Sequence, residues 1–228
     1  MSNSPTTSED TDRNISNERL NTLIDGIFAI VLTLLVLDLQ VPETAPDSAI
    51  AQQLLSLWPN FFSYVFSFII LSLFWLGHQI ESRYIRATDH LHLWLSLIFM
   101  LFIALLPFSA SLLGTHPASQ AAIIFYSCNI FIASLLRYIH WRYITHHHRL
   151  VDRHLSHRLI SSISKAFLSS SLICLGAIAL SFISTNLSLL LLIVSLANAL
   201  FRIGRIFHHH INPAQSQSHP SSSTPPQK

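Results

Sequence analysis

Charged positions along the chain fall into short clusters separated by long apolar runs. Between Asp47 and Glu81 there is no Asp, Glu, Lys or Arg, and Leu54–Ile80 fills that window with Leu, Phe, Ile and Trp. A second window free of these charges runs from Asp89 to Arg137. A spanning helix takes about 20 apolar residues, so this window is too long for one crossing. Gly114-Thr115-His116-Pro117 supplies a break, since Gly and Pro interrupt helical patterns. The window therefore predicts two helices, near Leu91–Leu113 and Ala118–Tyr138. A third window, Lys165 to Arg202, divides at Ser184-Thr185-Asn186 into a hairpin of Ala166–Ile183 and Leu187–Phe207. The first helix is less uniform. Leu20–Val41 is apolar apart from Asn21, Thr22, Asp25, Thr33, Asp38 and Gln40, and Pro42 and Pro46 mark its exit. The pattern predicts an all-α integral membrane protein with six transmembrane helices.

Composition agrees with this reading. Only 11% of the 228 residues are charged and half are hydrophobic, against roughly 25% charged in a soluble domain. Once six spans are placed, the chain has room for short loops but no large soluble domain. Residues 1–18 are polar, with no apolar core or cleavage site, and read as a disordered cytosolic leader. Residues 19–207 form the membrane domain. Residues 208–228 read as a disordered cytosolic tail, rich in Ser, Pro and Gln from Asn212 onward. Cys128 and Cys174 lie inside apolar stretches and read as small packing residues. No Gly-rich phosphate loop is present, and no cofactor or nucleic-acid partner is expected.

Charge sets the expected orientation. All 13 Lys and Arg fall in Met1–Arg19, Glu81–His90, Arg137–Lys165 and Arg202–Lys228 or at the helix ends bordering them. The intervening loops, near Asp38–Gln53, Gly114–Ser119 and Ser184–Asn186, hold none. Lys and Arg concentrate in cytoplasmic loops, so both termini are expected inside. No helix carries the repeated Arg of a voltage sensor.

Two features of the first helix invite a function. A charge within a span costs about 2.5–3.5 kcal/mol on insertion scales and usually has a partner or a job. Asp25 is such a charge. It is either a hydrogen-bonded anchor to a neighbouring helix or a cation or proton site. Trp75 and His78 lie at matching depth on the second helix, and an Asp25–His78 contact is the expected pairing. At about 100° per residue, Leu23, Ile27, Ile30, Leu34, Leu37 and Val41 share one stripe, away from Asp25. Gly26 and Thr33 flank it on one side and Asp38 on the other. By composition alone, such a stripe is a lipid-facing or packing surface.

Fourteen histidines also stand out. Many cluster at His140, His146-His147-His148, His154 and His157, and again at His208-His209-His210. With Arg142, Arg149, Arg153 and Arg158 they suit a solvated loop beside anionic headgroups, and His adds the possibility of regulation by pH. The sharper alternative is a membrane di-iron enzyme whose histidine boxes also draw on His78, His90 and His92. Irregular spacing and scarce carboxylates speak against it. A secondary transporter is a further alternative, weakened by the lack of paired interrupted helices.

The segment Arg19-Leu20-Asn21-Thr22-Leu23-Ile24-Asp25-Gly26-Ile27-Phe28-Ala29-Ile30 resembles the signature opening the first helix of the transmembrane protein 175 potassium channel family, an Arg followed after three residues by Phe-Ser-Asp. Arg19 and Asp25 match, while Leu23 and Ile24 replace the Phe and Ser. Phe74-Trp75-Leu76-Gly77-His78 resembles the family's Trp-x-x-His, and Leu101–Ser109 its Pro-Phe segment. Arg19, Asp25, Trp75 and His78 are thus the structural signature. The resemblance implies a prokaryotic single-repeat subunit of a homotetramer in the plasma membrane, with the first helices lining a central pore for potassium ions. It places the constriction at Ile30, Leu34 and Leu37, with Thr33 on the flank and Asp38 at the pore mouth. It implies no enzyme activity and no bound metal, and a weak preference for potassium and caesium over sodium.

Overall fold

The computed structural model describes residues 6–39, 50–146, 150–151 and 155–211; the side chains of residues 6–16, Asp38 and residues 201–211 lie outside that description. Helix α1 (Thr6–Leu34) continues into a 3-10 turn, Leu35–Asp38. There follow α2 (Ile50–Ser56), α3 (Trp58–Ser82), α4 (His90–Ala104), α5 (Leu106–Thr115), α6 (Gln120–Thr145), α7 (His157–Ser181) and α8 (Thr185–Ile211). Among the described residues there is no strand, only an isolated antiparallel bridge between Ile85 and Val151. Among the described residues five stretches are long and apolar enough to cross a membrane: Asn17–Leu37, Trp58–Ser82, His90–Thr115, Gln120–Thr145 and His157–Ser181. Thr185–Leu200 is a shorter apolar helix in the place of the sixth.

Local chemistry explains the boundaries. Asp89 caps α4, its carboxylate accepting the His92 backbone N–H at 2.8 Å. Ser156 caps α7 through the Leu159 N–H at 3.3 Å. Pro59 sits in the first turn of α3 and Pro107 in that of α5, where a missing N–H leaves no bond unmade. Pro107 also divides the third span in two at Leu105, a break that the apolar run alone conceals. Two helices outrun their apolar windows, α6 to Thr145 and α7 from His157. Their extra turns carry Arg142, Arg158 and Lys165 on exposed faces, so a first charge does not end a helix whose rim reaches water. Helix α1 begins at Thr6, within the segment expected as a leader. Of the expected tail, residues 208–211 belong to α8 and residues 212–228 lie outside the described residues.

The bundle is arranged around α6, which packs against α4, α5 and α7, while α3 packs on α5 and α8 on α7. Helix α1 lies at the edge, against α3 and α4. Buried Phe28, Leu71, Phe99, Ile103, Ile123, Tyr126 and Ala133 form the core. Small polar groups bridge the helices. Ser67 Oγ and Tyr126 Oη are 2.8 Å apart, and Ser63 Oγ donates to the Ala110 carbonyl at 2.6 Å. Asn129 Nδ2 donates to Ser109 Oγ at 3.2 Å. In an apolar surrounding such groups must find partners inside the protein. Gly114 lets α5 close on α3, since a Cβ there would lie 3.0 Å from Asn60 Cα.

One end of the bundle gathers the charged groups. Trp141 Nε1 donates to the Ile160 carbonyl at 3.2 Å, the Arg86 N–H donates to the Leu150 carbonyl at 2.8 Å, and the Tyr143 hydroxyl donates to Asp89. Asn17 of α1, whose Nδ2 donates to the Ile85 carbonyl at 3.5 Å, the end of α3, the start of α4, the end of α6 and the start of α7 meet at this basic end.

Candidate functional site: the free face of helix α1

Helix α1 has two apolar faces with different fates. Leu20, Ile24, Phe28, Val31 and Leu35, spaced three or four residues apart, are buried in the core. Leu23, Ile30, Leu34 and Leu37 share that spacing on the other side and are exposed, Ile30 by 60% against 1% for Phe28. Ile27 is half-buried between the two. Among the described residues of the stripe read from the sequence, Leu23, Ile30, Leu34 and Leu37 are therefore exposed and Ile27 is half-buried. Leu37 stays in line with Leu34 because the 3-10 turn advances three residues per turn. Val41 lies outside the described residues, as does the Asp38 side chain.

Thr33 is exposed on the flank, its hydroxyl donating to the Ile30 carbonyl at 2.7 Å. That bond uses the proton and leaves oxygen lone pairs available outward. Gly26 is exposed too, and a Cβ there would meet nothing within 4 Å.

Asp25 anchors the opposite side of α1, though not through His78. Its Oδ1 accepts hydrogen bonds from Trp75 Nε1 at 2.9 Å and Gln79 Nε2 at 2.7 Å, both on α3. Positions four apart lie one above the other on a helix, so Trp75 and Gln79 form one two-pronged donor. His78 is turned about 100° from Gln79 and points into the bundle, where it is buried and its Nε2 has no hydrogen-bond partner among the described residues. Arg19 is exposed.

A second polar cluster was not foreseen from the sequence. Arg137 Nη2 on α6 lies 2.8 Å from Glu81 Oε1 on α3, with both side chains 1% exposed. His140 Nε2 and His92 Nδ1 are 2.8 Å apart on stacked rings. The available signal was that Glu81 and Arg137 are lone, opposite charges closing two apolar runs at one depth. Among the described residues no group of three or more His, Cys, Asp or Glu is placed to hold a metal ion. His147, His148 and His154 lie outside those residues.

This fold defines a polytopic helical membrane protein whose edge helix presents one exposed apolar face among the described residues. Comparison with known proteins places it more closely. Residues 19–107, from α1 to the start of α5, match the family described as the endosomal/lysosomal potassium channel TMEM175. A potassium channel of Chamaesiphon minutus is 30% identical over 176 residues, covering 75% of this chain and 86% of the relative. A potassium channel of Streptomyces collinus is 28% identical over 138 residues, covering 59% of this chain and 67% of the relative. The crystal structure of a lysosomal potassium-selective channel TMEM175 homologue from Chamaesiphon minutus superposes with a TM-score of 0.71 at 25% identity, covering 82% of this chain and 97% of that one. The chain belongs to the TMEM175 family. That family is one of ion channels, not enzymes, which sets aside the histidine-box alternative.

Proposed function

We propose that this chain is the subunit of a homotetrameric cation channel that passes potassium ions, with α1 lining the pore. The exposed apolar face of α1, with Leu23, Ile30 and Leu34, carries the reading. A helix that buries one apolar face and presents another beside Thr33 needs a partner surface, and a second copy of the same helix supplies one. Four copies around an axis bring Ile30, Leu34 and Leu37 into successive rings.

Such rings act by dewetting, since apolar walls at close range exclude water and ions until they dilate. Potassium and caesium release hydration water more readily than sodium and cross more easily. The preference is weak, because the constriction returns few oxygens. The Thr33 oxygens add one polar ring on the flank, and Asp38 raises the local cation concentration at the mouth. Asp25 serves as the anchor that keeps α1 in register with α3. With no arginine-rich span, conduction does not depend on voltage. The Lys and Arg distribution supports a cytoplasmic position for both ends of the chain, and the single six-helix repeat favours the plasma membrane of a prokaryotic cell.

Planar bilayers test this directly. Ile30→Ala and Ile30→Asn are expected to raise conductance several-fold and to flatten the difference between potassium and sodium reversal potentials. Unchanged conductance and selectivity in both variants would remove Ile30 from the pore.

A further inference from the structure

Arg137 stands where four helices meet. It projects from α6 to Glu81 on the last turn of α3 at 2.8 Å. Its guanidinium lies over the Phe99 ring of α4 at 5.1 Å and the Phe167 ring of α7 at 5.2 Å. Gly77, one turn before Glu81, leaves space for it, since a Cβ there would lie 3.3 Å from Arg137 Nη2.

From this junction two routes lead to α1. Phe99 packs against Phe28 of α1, with ring centroids 6.4 Å apart, and against Phe74 of α3 at 5.8 Å. Phe28 lies two residues from Ile30, on the face turned inward. The other route runs along α3, where Glu81 faces Arg137 and Trp75 and Gln79 donate to Asp25. The end of α3 is thus held on two sides at once, to α6 by an ion pair and to α1 by hydrogen bonds. Apolar contacts between helices tolerate sliding, whereas an ion pair in an apolar surrounding does not, because separation strands both charges. Arg137 Nε and Glu81 Oε2 make no hydrogen bond among the described residues. A pair so incompletely satisfied is poorly explained by stability alone, since apolar replacements of similar volume often serve a fold as well.

We propose that Arg137 and Glu81 are positioning residues for the pore helix, setting the placement of α1 through the end of α3 and the Phe99 ring. The inference rests on the channel reading of α1. Its consequence is that flux responds to substitutions in the middle of the subunit that touch neither the ion path nor α1.

The test uses the full chain reconstituted in liposomes and labelled with 5-fluorotryptophan, the Trp75 resonance being assigned by its loss in Trp75→Phe. Arg137→Lys keeps the charge but loses the planar fork, and Phe167→Leu removes one ring from the guanidinium on α7. Both are expected to shift the Trp75 fluorine resonance and to change potassium flux at least three-fold, with the potassium-to-sodium preference retained. Tyr126→Phe, which removes a buried hydroxyl away from Arg137, is the control expected to change neither. The double exchange Glu81→Arg with Arg137→Glu should restore flux relative to Glu81→Arg alone. An unmoved Trp75 resonance with wild-type flux in folded Phe167→Leu overturns the proposal, as does an equal response to Tyr126→Phe. A wild-type chain without potassium flux would overturn the channel reading, while the Trp75 shift would still report on the link from Arg137 to α1.

Discussion

Helices α1 and α6 are both apolar enough to span a membrane, yet half of the apolar window of α6 is buried against 28% in α1. Helix α6 is enclosed by neighbours and carries Tyr126, Asn129, Arg137 and His140 among its buried residues. Helix α1, at the edge, holds one half-buried charge among its described side chains, Asp25, and exposes Ile30 and Leu34. The enclosed helix can carry polar side chains because partners surround it. The edge helix keeps its free face apolar, as suits a surface completed from outside the chain.

The contrast can be broken most severely at its centre. Arg137→Leu strands Glu81 without its cation, and removing one member of a buried pair costs about 3–5 kcal/mol. A large fall in folded yield, or in the midpoint of thermal unfolding in detergent, is the expected outcome; an unchanged midpoint would mean that Glu81 finds water or another donor. Asp25→Leu should have a smaller effect. It leaves the Trp75 and Gln79 donors without an acceptor, at about 1–3 kcal/mol for each buried group and less here because the site is half-buried. Thermal unfolding measured beside Asp25→Asn, which keeps one acceptor oxygen, would separate the loss of hydrogen bonds from the loss of charge. Ile30→Ala should be the mildest for the subunit fold, within about 0.5 kcal/mol as for other surface positions. A loss of subunit stability as large as that of Asp25→Leu would place Ile30 in the core and erase the distinction between the two faces.

The helices were legible because apolar runs and charge clusters follow directly from the cost of placing charge in a membrane. The free stripe of α1 was legible for the same reason, since its spacing is a property of one helix. Pairings between helices were less so. The sequence placed Trp75 and His78 at the depth of Asp25, but which of them faces α1 depends on the rotation of α3, and it is Trp75 with Gln79 that does. The Glu81–Arg137 pair depends on two helices distant in the chain and on the bare Cα of Gly77, and no window of neighbouring residues contains that information. The kink at Leu105 was hidden because Pro107 falls inside an unbroken apolar run.

The buried ion pair also bears on how the chain is made. Glu81 closes α3, whereas Arg137 belongs to α6 and leaves the ribosome only after α4 and α5. While those helices insert, Glu81 sits at the rim of a nascent helix within reach of water, and it is drawn into the dry interior only when α6 arrives with its cation. Arrival of the fourth span is then the step that locks the early helices together, and a chain truncated before α6 should remain loose, open to rescue by a separate fragment that supplies α6 with Arg137 together with α7 and α8.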